Sequence, residues 1–188
     1  MSIYLPLETP RLILRDFVES DSQGVHDYAS DPEVVRYLPF GPNSAEDTKN
    51  YLQTEIKAHR KRNRQHFALA VTLKEDKQLI GACRISITDA NKPEASIGFS
   101  LAKKFWGQGY ATEVGEKLLE FGFQQLKLHR IFAICDSQNN LSARVLVKIG
   151  MRQEGYLREY ESMRGEWRDM LLYAILEKDW IQMQIRNI

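Results

Sequence analysis

Cysteine is scarce in this chain. Its 188 residues hold two, Cys83 and Cys135, each inside an apolar run and neither in a CxxC pair. That excludes a disulfide framework and a thiolate metal site, and no metal is expected. Long apolar runs are missing too, and none approaches the ~20 residues of a membrane span. Residues Met1 to Thr9 lack the basic stretch and apolar core of a secretory leader, so a cytoplasmic protein with no membrane role is expected. Nor is there an excess of one charge: 26 basic side chains face 25 acidic ones, a net charge of +1. Such a balance gives no global attraction to nucleic acid. Repeats, low-complexity tracts and linkers are absent. What is present is a globular composition, 43% hydrophobic and 27% charged, in a length that suits one domain over 1–188 with its core at about 9–180.

Leu12-Ile13-Leu14 between Arg11 and Arg15 reads as a first strand. Ser20-Asp21-Ser22 offers helix N-cap chemistry, and Ser44 with Asp47 reads as a capping box opening a helix through Leu52 and Ile56. The region to about residue 65 is thus α-rich and polar, broken at Asp31-Pro32 and around Pro39 to Pro42. A meander of three strands follows, at 67–73, 79–87 and 95–101. In the third, Ala95, Ile97, Phe99 and Leu101 alternate with Ser96, Gly98 and Ser100, giving one apolar and one small, polar face. A helix is expected at about 110–126, a fully apolar strand at 131–135, and a short helix at about 140–149 closed by Gly150. Two strands end the pattern, at about 152–161 and 170–176, joined near Arg164-Gly165-Glu166. On the first of these, Tyr156, Arg158 and Tyr160 would share one face, with Glu159 and Glu161 on the other. The strand–helix–strand step from 95 to 135 implies one parallel crossover. The expected fold class is α/β: a twisted, mostly antiparallel mixed sheet with helices on both faces.

The most informative segment is Trp106-Gly107-Gln108-Gly109-Tyr110-Ala111-Thr112-Glu113, which joins a strand to a helix. The first N–H groups of a helix lack intrahelical partners and carry the positive end of its dipole. Glycines let the backbone approach a ligand closely. Such a loop can wrap a diphosphate with backbone amides alone. It can equally be a plain connection in which glycines relieve crowding. No Gly-x4-Gly-Lys-Ser/Thr run exists, which excludes an ATPase P-loop. A dinucleotide fingerprint wants a third glycine where Thr112 stands, and would follow the first strand of its fold. A diphosphate carrier other than NAD fits, and coenzyme A is one.

These segments resemble the GNAT superfamily of acyl-CoA N-acyltransferases. Its Gln/Arg-x-x-Gly-x-Gly/Ala signature falls on Trp106, Gly109 and Ala111, with Trp106 in place of Gln or Arg. Trp-Gly-x-Gly-Tyr-Ala-Thr-Glu is similar to the branch that includes the ribosomal-protein alanine N-acetyltransferases. So are Thr9-x-Arg11-Leu12-x-Leu14-Arg15 and Asn139-x-x-Ser142 leading to Lys148-Ile149-Gly150-Met151, with Met151 where Phe is usual. The resemblance spans about residues 9 to 180. It implies a splayed parallel strand pair around acetyl-CoA and transfer of the acetyl group to a primary amine. The acceptor it suggests is a protein or peptide N-terminus, such as a ribosomal protein. Polyamines, antibiotics and amino-acid-like amines are alternatives, as is a non-catalytic acyl-CoA-binding module.

Residue by residue, the resemblance implies that the backbone from Trp106 through Gly107, Gln108, Gly109, Tyr110 and Ala111 to Thr112 binds the pyrophosphate. Phe99 and Leu101 would flank the pantetheine, with the N–H near Phe99 polarising the thioester carbonyl. Asn139 and Ser142 open the helix facing the gap. Both residue types are also ordinary caps. Ser142 is the expected donor to the departing thiolate, because the tyrosine acid of many relatives is here Leu146. The strand carboxylate of many relatives is Ser96, which leaves Glu94, two residues earlier on the same face, as the candidate base. An α-amine, with a pKa of ~7.7–8.0 against ~10.4 for lysine, tolerates a weak base better. Glu113 reads as structural in the first helical turn, Trp106 and Phe105 as loop anchors, and His129 as structural. The basic run His59-Arg60-Lys61-Arg62-Asn63-Arg64 reads as a solvated helix end or a docking surface for an acidic partner. No direct nucleic-acid role is expected, and monomer and homodimer are both open.

Overall fold

The apolar runs pair into one eight-stranded sheet in the computed structural model, which describes residues 3–61, 63–89 and 91–186. The order across the sheet is β1 (Leu7–Glu8), β2 (Leu12–Arg15), β3 (His66–Leu73), β4 (Leu79–Ile87), β5 (Glu94–Leu101), β6 (Arg130–Asp136), β8 (Glu166–Leu176) and β7 (Arg152–Met163). Every neighbouring pair is antiparallel except β5 and β6. The expected mixed sheet with one parallel crossover is what the chain forms.

Helices cover both faces. α1 (Ser22–Ala29), α2 (Pro32–Val35) and α3 (Ala45–His59) lie over β3 and β4, where Ala68, Ala70 and Ala82 pack under Val25, Tyr28 and Leu52. The small alanines are what lets these helices come close. On the opposite face α4 (Tyr110–Glu120) and α5 (Asn140–Lys148) bury Val114, Leu118 and Leu146 against Leu69, Ile85, Ile97 and Ile131. β3 is buried along nearly all its length because it is covered on both sides.

Local signals explain the boundaries. Ser44 and Asp47 form the capping box at α3: the Asp47 N–H donates to Ser44 Oγ (3.1 Å) and the Ser44 N–H donates to Asp47 Oδ2 (2.9 Å). Gly150 ends α5 at φ +87, the left-handed geometry that favours glycine. Asp21 departs from expectation. It precedes α1 but makes no side-chain cap. Its carboxylate instead accepts both terminal nitrogens of Arg15 (2.7 Å each) and the Val18 N–H (2.8 Å). The helix expected at 110–126 is regular only to Glu120, then widens into a π-helical turn, Phe121–Gln125, where the Leu126 N–H reaches the Phe121 carbonyl. β1 and a last helix, α6 (Glu177–Arg186), were not foreseen. α6 docks through Trp180, whose ring lies 5.4 Å from that of Phe123.

β7 also departs from simple alternation. Its register against β8 shifts between Leu157 and Glu161, where Glu159 takes φ +47. Asp169 holds the bulge, accepting the Glu159 N–H (2.7 Å) and the Tyr156 hydroxyl (2.5 Å). Bulging breaks the period of two, so the expected sharing of one face by Tyr156, Arg158 and Tyr160 does not hold. Among the described residues no helix is long and apolar enough to cross a membrane.

Candidate active site

β5 and β6 pair only at Glu94–Arg130, Ala95–Ile131 and Ser96–Phe132. Beyond Ser96 they part. The Ala102 N–H bonds to the Ile80 carbonyl, which puts the β4-facing hydrogen bonds on even-numbered residues of β5. The backbone of Phe99 and Leu101 therefore turns toward the gap, where no strand receives it. Around this gap lies a cleft of about 1420 Å³. Phe99, Leu101, Trp106, Gly107, Gly109, Tyr110, Ala111, Thr112, Asn139 and Ser142 all line it.

One end of the cleft is the glycine loop. Gly107 and Gly109 take φ +73 and +84. These angles turn successive N–H groups to one side, a concavity suited to an anion. The first backbone bond of α4 runs from the Glu113 N–H to the Gly109 carbonyl (3.1 Å). The N–H groups of residues 107–112 donate to no other described residue. A β-carbon at Gly107 would meet nothing within 4 Å, so the cradle is open. Donors, dipole and space together fit a diphosphate.

The N-terminal motif braces that loop. Glu113 accepts Thr9 Oγ1 (2.5 Å), the Arg11 N–H (2.9 Å) and Arg11 Nε (2.7 Å). Arg11 in turn donates to the Gln108 carbonyl (3.1 Å) and lies 4.3 Å over the Tyr110 ring. Burial alone would raise the Glu113 pKa, but the bonds from Thr9 and Arg11 outweigh it and hold the carboxyl below its usual range. Trp106 anchors the other side by donating Nε1–H to the Leu101 carbonyl (2.7 Å). Gln108 donates its amide to the Lys104 carbonyl (2.8 Å) and does not line the cleft.

At the gap itself, Asn139 caps α5, its side chain accepting the Ser142 N–H (3.1 Å). Ser142 stands beside Cys135. Burial pushes that thiol up to about 11, with the Ser142 side chain lowering it in part. Leu146, at the position of the missing tyrosine, is buried.

Glu94 is not brought to the cleft. Arg130 binds its carboxylate and that of Glu154 (2.6 Å) at the start of the parallel pair, the end away from the gap. The cation that occupies its carboxylate comes from another strand, β6. Five other carboxylates do line the cleft: Glu33, Asp47, Glu55, Asp136 and Glu161. Glu33 is paired with Lys103, Asp47 caps Ser44, and Glu55 lies 3.6 Å from His66. Asp136 is 2% exposed and spends one oxygen on the Gln138 N–H. Glu161 is half-buried and has no ion-pair partner among the described residues; its cross-strand neighbour Arg168 turns to Glu166 instead (3.1 Å). The β7 bulge brings Tyr160 and Glu161 to the cleft together, which strand alternation hides.

The cleft has a lip, residues 36–43, which carries no sequence motif. Arg164, at the tip of the β7–β8 hairpin, clamps it from across the molecule. Its guanidinium donates to the carbonyls of Val35 (3.0 Å), Arg36 (3.2 Å), Leu38 (3.3 Å), Phe40 (2.9 Å) and Gly41 (3.0 Å). Part of the basic run is structural: Arg64 pairs with Asp16 (2.7 Å) and stacks 4.6 Å from the Phe67 ring. Arg62 lies outside the described residues. The described residues contain no cluster able to hold a metal ion.

Comparison with known proteins gives this geometry a family. Residues 11–152 match the model of the acetyltransferase (GNAT) domain. The chain is 35% identical to the uncharacterized N-acetyltransferase YnaD of Bacillus subtilis over 174 residues, 93% of this chain and 98% of that one. A GNAT-family acetyltransferase of Bacillus anthracis superposes with a TM-score of 0.83 at 34% identity, covering 93% and 99% of the two chains. The ribosomal protein uS5-alanine N-acetyltransferase of Escherichia coli is 28% identical over 107 residues, 56% of this chain and 55% of that one.

Proposed function

The chain belongs to the GNAT acetyltransferase family, and from that premise we propose that it transfers an acetyl group from acetyl-CoA to a primary amine bound on the β5–β6 floor. The observation that carries this reading is the unpaired run of N–H groups at 107–112 beside the splayed strands. Acetyl-CoA, when bound, supplies its acetyl group activated as a thioester. Gly107 to Thr112 hold the pyrophosphate with backbone donors, and the Phe99 and Leu101 backbone lines the arm. The Phe99 N–H is placed to polarise a carbonyl in the gap. Ser142 offers a hydroxyl to the sulfur that leaves.

Glu161 replaces Glu94 as the proton acceptor in this reading. It is the cleft carboxylate with neither a salt bridge nor a structural hydrogen bond among the described residues, and it is open enough for an amine or a bridging water to reach. A protein or peptide N-terminal α-amine is the favoured acceptor. Its lower pKa asks less of the base, and the E. coli relative is an alanine N-acetyltransferase by name.

The test is thermal shift with acetyl-CoA, followed by thiol release with an amine panel. At 100 times its dissociation constant a ligand stabilises by about 2.7 kcal/mol. E161Q should retain that shift while kcat/KM falls by about 10²–10⁴-fold, and S142A should lose turnover with binding intact. No shift with acetyl-CoA would remove the proposal; full turnover by E161Q would remove Glu161 alone.

A further inference from the structure

The cleft extends well past the reacting gap, into an arm under α3. That helix turns one stripe toward it: Asp47, Asn50, Tyr51 and Glu55, at spacings that share a helical face. Eight residues of helix place the ends of the stripe about 12 Å apart. The wall is polar and acidic, and its floor is made of Ala68 and Ala82. Asp47 is committed to its cap. Glu55 is not committed in the same way. It is 8% exposed, and its Oε2 has no partner among the described residues. Its Oε1 has only His66 Nε2 at 3.6 Å, beyond hydrogen-bond length. The other ring nitrogen of His66 is engaged with Ser86 Oγ (2.6 Å).

A buried carboxylate with one oxygen unpartnered and the other facing only an imidazole at 3.6 Å is costly, and a chain tolerates one where a ligand completes it. Tyr28 and Tyr51 line the same arm. Aromatic faces and a carboxylate are together the chemistry that receives a cation. Arg84 lines the floor from β4, its Nε lying where a β-carbon on Gly98 would be 3.1 Å away. Its charge also acts on Tyr51, so it is Glu55 that must hold a positive group in the arm.

Resting on the acetyltransferase reading above, we propose that this arm seats a second cationic group of the acceptor, an ammonium or guanidinium held by Glu55 against Tyr51, while the amine to be acetylated lies at the gap. The acceptor is then at least dicationic before reaction. A polyamine and a peptide with lysine or arginine near its N-terminus share that chemistry.

The experiment compares matched acceptors at saturating acetyl-CoA: spermidine against propylamine, and Ala-Lys-amide against Ala-norleucine-amide. The wild type should favour the cationic member of at least one pair by about tenfold or more in kcat/KM, the scale of one charge-assisted hydrogen bond. E55Q should erase that preference and leave the uncharged member unchanged. Which pair shows the effect identifies the source. Binding of spermidine and Ala-Lys-amide to the CoA-bound protein gives a readout independent of turnover, and E55Q should weaken it by a similar factor. If E55Q fails to fold, E55D and the wild-type comparison decide. Equal rates within both pairs and no binding of either cation, in a wild type that binds acetyl-CoA, overturn the inference and leave the family activity standing. A wild type that does not bind acetyl-CoA sinks the reading beneath it.

Discussion

Glu113 gives the sharpest quantitative test of how the glycine loop is held. Replacing it with glutamine keeps its size and removes its charge. The carboxylate accepts from Thr9 Oγ1, the Arg11 N–H and the Arg11 guanidinium. Hydrogen bonds to a charged group contribute about 1.5–3 kcal/mol each. The Arg11 side chain is 46% exposed, so solvent screens much of its share. Glutamine also retains part of the Thr9 and backbone bonding. A net loss of about 2 kcal/mol is expected, which for a chain of this size lowers Tm by about 4–8 °C. The effect must depend on pH. Glu113 has its pKa depressed in the folded state. Its stabilisation is therefore present above the unfolded-state value and is lost as pH falls through the folded-state value. Thermal unfolding of wild type and E113Q should differ fully at pH 7, with the gap closing below about pH 4. Equal Tm at pH 7, or a gap unchanged down to pH 3, would refute the assignment of that carboxylate as the charged brace of the loop.

Gly109→Val forces a β-branched residue to φ +84, at a cost of about 1–3 kcal/mol. It should lower Tm modestly and weaken acetyl-CoA binding by at least tenfold in a calorimetric titration. Arg164→Ala removes the guanidinium whose N–H groups the carbonyls of Val35 and of four lip residues share. Steady-state kinetics should show acceptor KM raised about tenfold, with the acetyl-CoA dissociation constant unchanged, and Arg164→Lys should recover little because an ammonium cannot span the same carbonyls.

The two halves of the site were legible to different degrees. The loop from Trp106 to Thr112 shows itself locally, because positive φ and free N–H groups demand glycines and small residues in one short segment. Asn139 is equally local, since capping needs only its own helix. The acceptor half is assembled from distant parts. Glu55 comes from a helix whose stripe looks like any solvated face, and Arg164 reads as a hairpin residue until its partners at 35–41 are seen. Glu161 keeps the face that alternation gives it, since its partner Arg168 lies two residues from Met170, the partner of Leu157; what alternation hides is the bulge that brings Tyr160 beside it, and nothing in Arg158-Glu159-Tyr160 announces one. A strand pairing that no local pattern encodes put Arg130 on top of Glu94.

The parting of β5 from β6 also bears on how the molecule holds together. Five strands lie on one side of that seam and three on the other, joined edge to edge by three residue pairs. What rivets the two slabs is helix packing across the seam, where α4 meets α5 so closely that a β-carbon at Gly115 would sit 2.9 Å from Ile149 Cδ1. The sheet is continuous in strand order but not in strength. Amide hydrogens along the seam should therefore exchange with solvent before those inside either slab.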